Sequence, residues 1–127
     1  MKKKILVVDD SATLRASVNY TLKSAGFETI NAVNGADGLE KLTEAHKQGD
    51  QIGIILSDIN MPVMDGMQLI REIHKIDQAD RVLVVSGSID DEVIKELKSF
   101  GCHHWLAKPF LVTQLMEAVQ QTQGRRV

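Results

Sequence analysis

Ile5-Leu6-Val7-Val8-Asp9-Asp10 is a run of four apolar residues that ends in two acids. A short, unbroken apolar run of this kind reads as a strand covered on both faces. The design recurs. Ile52–Leu56 leads through Ser57 to Asp58, and Val82–Val85 leads to Ser86-Gly87-Ser88. Phe27–Asn31 and Trp105–Ala107 complete five strand-like segments, with Lys108 just past the last. Helical spacing fills the intervals. Leu14, Val18 and Leu22 recur every four residues, as do Ile89, Val93 and Leu97. Leu69, Ile70, Ile73 and Ile76 form another stripe, and Leu111, Leu115, Met116 and Val119 the last. The second helix, Gly35 to Lys47, rests on Leu39 and Leu42. Strand alternating with helix five times predicts an α/β fold with a doubly wound parallel sheet.

Sheets of this type bind ligands outside the carboxyl ends of their strands. Asp9, Asp10, Asp58, Ser86 and Lys108 all fall at that edge. Three carboxylates there repel one another. At about 4 Å and an effective dielectric near 20, each pair costs roughly 4 kcal/mol. That repulsion is a first pointer to a metal ion.

The chain has 127 residues, the size of one domain, taken here as 1–127. Apolar residues make up 43% and charged residues 25%, which suits a globular protein. The net charge of −2 gives no sign of nucleic-acid binding, and the basic clusters Lys2-Lys3-Lys4 and Arg125-Arg126 read as solvated ends. A single cysteine, Cys102, excludes an intrachain disulfide and fits a reducing compartment. The apolar run after the N-terminal lysines stops after four residues, too early for a secretion signal. No stretch approaches the ~20 apolar residues of a membrane span. A cytoplasmic location is expected.

Several residues read as structural. Ser11 or Thr13 can cap the first helix and Asp65 the third, while Asp90-Asp91-Glu92 favour the start of the fourth. Gly26 and Gly101 sit where helices end in a left-handed residue. Asp65-Gly66 makes a turn and a helix start. His103 and His104 adjoin Cys102, but neighbours on a strand point to opposite faces, so no transition-metal site is read there. His46 and His74 are expected to be exposed.

The chain resembles bacterial response-regulator receiver domains, and within them the single-domain, chemotaxis-type regulators. The resemblance rests on Val8-Asp9-Asp10-Ser11, Ser57-Asp58-Ile59-Asn60-Met61-Pro62-Val63-Met64-Asp65-Gly66, Val85-Ser86-Gly87 and Ala107-Lys108-Pro109-Phe110. Together these pieces span nearly the whole chain in order. The resemblance implies a flavodoxin-like strand order of 2-1-3-4-5. It implies that Asp58 accepts a phosphoryl group from a sensor histidine kinase or a phosphotransfer domain. Mg2+ would be held by Asp9, Asp10, Asp58 and the backbone carbonyl of Asn60. Lys108 and Ser86 would contact the phosphoryl oxygens, and Gly87 would leave room for them. A cis Lys108-Pro109 bond is typical of the family and would aim Lys108 inward. The chain would be no enzyme toward other substrates, catalysing only its own phosphorylation and dephosphorylation.

Two departures from the commonest family pattern bear on switching. Ser86 stands where threonine is more frequent, and Trp105 where many relatives carry tyrosine or phenylalanine. In relatives that ring turns inward as the hydroxyl moves toward the phosphate. Ser88 and Asn60 lie where relatives tune the lifetime of the phosphorylated state. The expected output surface is the face of the fourth helix, fifth strand and fifth helix, with Lys95, Lys98, Phe100 and Trp105. Its partner is a protein not readable from the sequence, and a monomer or weak dimer is expected. Met1-Lys2-Lys3-Lys4 is read as a natural start, and no effector domain is expected after Val127. The alternatives are a phosphorelay shuttle, or a receiver cut from a longer regulator or hybrid kinase.

Three rivals fit less well. A haloacid-dehalogenase-type phosphatase needs Asp-x-Asp, and Asn60 fills the second place. A flavodoxin-like electron carrier needs a phosphate loop after the first strand, where Asp9 and Asp10 would repel a flavin phosphate. A receiver fold reduced to docking would not need all five polar residues.

Overall fold

The computed structural model describes residues 4–59, 65–76 and 81–124. The elements alternate without exception: β1 (Lys4–Val8), α1 (Ala12–Ser24), β2 (Glu28–Ala32), α2 (Gly35–Lys47), β3 (Ile52–Ser57), α3 (Gly66–Ile76), β4 (Val82–Ser86), α4 (Asp91–Ser99), β5 (His104–Ala107) and α5 (Val112–Gly124). The five strands pair in parallel in the order β2-β1-β3-β4-β5. This is the expected doubly wound topology.

Each face of the sheet buries its own cluster. Ile5, Val7, Ile54, Leu56, Leu83 and Val85 pack beneath α1 and α5, against Val18, Leu22, Leu115 and Val119. Leu6, Val8, Ile55, Val82 and Val84 pack on the other side against α2, α3 and α4. Ile52 breaks the alternation of β3 by joining the second cluster. The pairing explains it: Lys4 and Ile5 lie opposite Ile52 and Ile54, so Gly53 is an extra residue. A glycine inside a strand commonly marks such a bulge.

The helix ends explain the boundaries. Ser11, Asn34 and Asp90 cap α1, α2 and α4, each side chain accepting from a backbone N–H in the first turn. Gly26 and Gly101 close α1 and α4 at φ 93° and 81°, a region that disfavours side chains. Beyond them, Phe27 N–H bonds back to Leu22 O at 3.0 Å and Cys102 N–H to Leu97 O at 3.0 Å, completing Schellman motifs. The Phe27 amide is thus spent on the helix, and β2 begins one residue later than its apolar pattern predicts. The same motif closes α2 at Gly49, a third left-handed glycine beyond the two predicted.

Leu111 corrects the predicted stripe of the last helix. It precedes α5, its carbonyl accepting from Leu115 N–H at 3.0 Å while its own N–H donates to Gln114 Oε1 at 2.8 Å. This capping position turns the side chain away from the core, leaving it 67% exposed.

Candidate functional site: a lysine between acids at the sheet edge

The last rungs of the sheet bring the chemistry together. Asp9 N–H bonds to Ala32 O at 3.1 Å, Asp58 N–H to Val8 O at 3.1 Å, and Lys108 N–H to Ser86 O at 2.8 Å. Residues that follow β1, β3 and β5 therefore emerge side by side, next to the end of β4. Asp9 is 3% exposed, Asp58 7% and Ser86 0%, whereas Asp10 faces solvent.

Lys108 Nζ lies 2.8 Å from Asp58 Oδ2 and 3.4 Å from Asp9 Oδ2. Burial by itself lowers the lysine pKa. The hydrogen bond and charge of Asp58, with those of Asp9, outweigh it and raise the ammonium above its ordinary value. Lys108 is therefore a cation held against two acids. The Lys108-Pro109 bond is cis, as the resemblance implies.

Each acid is further tied. Asp9 Oδ1 accepts from Ser11 N–H at 2.8 Å, and the Asp9 carbonyl accepts from Arg15 Nη1 at 2.7 Å. The Asp58 backbone is braced from below by α3. Gly66 N–H donates to Ile59 O at 2.7 Å, and a Cβ at Gly66 would stand 2.1 Å from Asp58 O. Glycine is required there by close approach. Asp65, the residue before it, accepts from Gln68 N–H at 2.8 Å as the expected cap. Ser86 Oγ accepts from Ser88 N–H at 3.2 Å. Beside it, a Cβ at Gly87 would meet no other atom within 4 Å.

Asp9, Asp10 and Asp58 each offer a carboxylate oxygen, and the three lie within 4.8 Å of one another. Two oxygens on opposite sides of an octahedral Mg2+ are about 4.2 Å apart, from bonds of about 2.1 Å each. That span is close to what the ion needs, and an all-oxygen acidic set is what it prefers. The residues therefore fit Mg2+. Asn60, the fourth ligand by resemblance, lies outside the described residues, as do Met61 to Met64. Among the described residues, no other group of three or more His, Cys, Asp and Glu is placed to hold a metal ion.

The remaining predicted residues divide. Trp105 is half-buried, packed on the α2–α4 side of the sheet. It borders a cavity of about 220 Å³ with Leu83, His103, His104, Ala118 and Gln121. Lys95 and Lys98 are exposed on α4. Phe100 departs from its assignment to the output face: its ring meets His74 edge-on at 5.7 Å, and the Arg71 guanidinium lies 5.9 Å from its centre. The turn that ends α4 swings this ring toward α3. His46, His74 and His103 are exposed. Cys102 is buried, its thiol reaching Val82 O at 3.4 Å and pushed up to about 11 by desolvation, so it is no nucleophile. Arg15 and Gly66 were missed as parts of the site. A lone arginine on a helix has no signature, but the spacing from Asp58 to a helix-opening glycine could have flagged Gly66.

Comparison with known proteins agrees with this geometry. Residues 5–120 match the model of the response regulator receiver domain family. The sporulation initiation phosphotransferase F of Bacillus subtilis is 30% identical, over 95% of this chain and 94% of its own length. The chemotaxis protein CheY of the same organism is 32% identical over 96% and 98%. Among solved structures, the CheX-CheY-BeF3-Mg+2 complex from Borrelia burgdorferi superposes with a TM-score of 0.86 at 26% identity, covering 94% of this chain and 87% of that one. The chain spans about half the length of other curated relatives it matches.

Proposed function

Because the chain belongs to the response-regulator receiver family, a family of two-component systems, and is CheY-like in sequence and fold, we propose that Asp58 is its phosphoacceptor and that phosphorylation switches it. The observation that carries this reading is Lys108 Nζ seated between Asp58 and Asp9, two of a cluster of three carboxylates completed by Asp10. A buried acid with an adjacent cation and an open flank is suited to receive a dianionic group.

An Asp58 carboxylate oxygen attacks phosphorus. The bond from phosphorus to the donor nitrogen of a phosphohistidine breaks, its electrons leaving with the imidazole. Lys108 passes from the Asp58 oxygen to a phosphoryl oxygen, acting as a point charge. Ser86, whose oxygen already accepts from Ser88, keeps its own proton to donate. Gly87 leaves the space. Asp9, Asp10 and Asp58, with the Asn60 carbonyl that the resemblance adds, would hold Mg2+, which when bound would supply neutralising charge for the acids and the incoming oxygens. The BeF3 and Mg+2 bound in the related Borrelia complex support this ligand class. The chain acts on itself and not as an enzyme on a separate substrate.

The donor is a sensor histidine kinase or phosphotransfer domain. Leu111 and Val112, exposed just beyond Lys108, offer a protein donor an apolar rim. Phosphorylation adds roughly −1.5 to −2 charge, by analogy with other phosphorylated side chains. New contacts to Ser86 and Lys108 favour one arrangement of the loop after β4, and with it one placement of Trp105. Only such differential contacts shift an equilibrium. The signal leaves through the face of α4, β5 and α5, where Lys95, Lys98 and Trp105 lie, to a protein target. The related complex joins CheY to another protein, CheX, which supports action through protein contact. The likeness to CheY and to phosphotransferase F over nearly their whole lengths supports the same mode. The half-length matches favour a second reading, the receiver part of a longer regulator. We place the chain in the cytoplasm as a monomer or weak dimer. Its one buried thiol suits a reducing compartment, and no helix among the described residues is long and apolar enough to cross a membrane.

Incubation with Mg2+ and acetyl phosphate, followed by intact mass and the fluorescence of the single Trp105, tests the reading. One phosphoryl increment is expected in the wild type and none in Asp58→Asn. An increment that survives Asp58→Asn removes Asp58 from the role. An increment with unchanged fluorescence keeps the phosphoacceptor and removes the Trp105 switch.

A further inference from the structure

Arg15 is a cation that the phosphoryl chemistry leaves unused. It lies one turn inside α1, half-buried, and its Nη1 donates to the Asp9 backbone carbonyl at 2.7 Å. That carbonyl has lost its sheet partner. On a parallel strand, a residue's N–H and C=O face the same neighbour. Asp9 N–H bonds to Ala32 O on β2, but β2 ends there, and Asn34 already caps α2. Among the described residues, no backbone N–H bonds to the Asp9 carbonyl to continue the ladder. Arg15 supplies a hydrogen bond to that carbonyl in place of a sheet partner.

The carbonyl belongs to the peptide that joins Asp9 to Asp10. The peptide is planar, so its orientation is set by two torsions, ψ of Asp9 and φ of Asp10. Those same torsions set the angle between the two Cα–Cβ bonds. Asp9 has further anchors in Ser11 N–H and Lys108. Asp10 is exposed, and its direction comes from its backbone.

We propose that Arg15 is a positioning residue that fixes the bite of the Asp9–Asp10 pair on a divalent cation by clamping the peptide between them; this rests on the Mg2+ reading above. A clamp and a mere nearby charge make opposite predictions. Removing a clamp loosens the acids and weakens binding. Removing a bystander cation lessens repulsion of the ion and tightens binding. The two ions also differ: Mg2+ demands near-ideal octahedral geometry, whereas Ca2+ tolerates irregular sites.

Calorimetric titration of the unphosphorylated chain with Mg2+ and, separately, Ca2+ tests the proposal. Arg15→Met is expected to lose about tenfold in Mg2+ affinity, as when a group that orients a metal ligand is removed, and less in Ca2+ affinity, so selectivity falls. Arg15→Lys, which still donates, is expected to recover most of the loss. Unchanged or tighter Mg2+ binding in Arg15→Met overturns the proposal, as does an equal loss for both ions. Should Arg15→Met not fold, Arg15→Gln carries the test. This neutral donor keeps near wild-type Mg2+ affinity if the hydrogen bond matters, and tighter binding of both ions overturns the proposal. A wild type that takes up no Mg2+ overturns the metal reading itself, and this inference with it.

Discussion

The loop that carries Asp58 and the loop that follows Ser86 border the same site and are built in opposite ways. Below Asp58 the backbone is jammed: α3 begins so close that only a hydrogen fits at Gly66, whose N–H holds Ile59 O. After Ser86 the backbone is open: Gly87 faces empty space, and Ser88 N–H has a 3.2 Å bond to Ser86 Oγ. The difference separates two duties. On the proposed reading, the acceptor must stay where its partners are, while a responding loop must have somewhere to go.

The largest effect expected from breaking this contrast is at Gly66. Gly66→Ala places a methyl against backbone that cannot yield, and overpacking of this kind costs about 3 kcal/mol. Urea unfolding measures it, and a loss below about 1 kcal/mol would show that the floor is soft.

Next comes Lys108→Met. It leaves Asp9 and Asp58 buried without their cation. Breaking a buried pair costs roughly 3–5 kcal/mol. With the lysine side chain 24% exposed, solvent screening brings the expectation to about 2 kcal/mol. Added Mg2+ restores part of it. The sign with pH follows from the raised lysine pKa. The contribution is full below the ordinary value of 10.5 and is lost as pH climbs through the higher folded value. The stability gap between wild type and Lys108→Met therefore closes at alkaline pH, and a gap that widens refutes the pairing.

Much of this site was legible in advance because strands buried on both faces leave no doubt about where they stop. Asp9, Asp58, Ser86 and Lys108 each follow an apolar run, and parallel topology delivers such ends to one edge. What stayed hidden depends on shape. Nothing in a helical stripe distinguishes Arg15 from any half-buried arginine, because its target is a carbonyl. Phe100 is itself the C-cap of α4, where periodicity no longer assigns a face. Leu111 fits the stripe of α5 by spacing, but a capping position sends it outward. The bulge at Gly53 needed the pairing of β1 with β3 to be seen.

A smaller effect sharpens the other side of the contrast. Gly87→Ala is expected to change stability by less than about 0.5 kcal/mol, since its methyl meets nothing. Hydrogen exchange reads both loops in one sample, with the Gly66 amide the more protected and that of Ser88 the less. Equal protection would erase the distinction. Another small effect lies outside both loops. Arg71 and Glu96 form a 3.0 Å pair joining α3 to α4, but their side chains are 52% and 41% exposed. Glu96→Gln is expected to cost under about 1 kcal/mol, and less in high salt. Distance alone makes it resemble the Lys108 pair; burial separates them.

Cys102 has a consequence for how the molecule can be watched. Its thiol is sealed beneath β4 and β5 and stays protonated at neutral pH. An alkylating reagent must wait for that corner to open, so the rate of modification is a clock for local breathing next to the proposed output face. The chain carries this clock without any added label, and comparing its pace with and without a phosphoryl group at Asp58 times how tightly the two ends of the sheet are coupled.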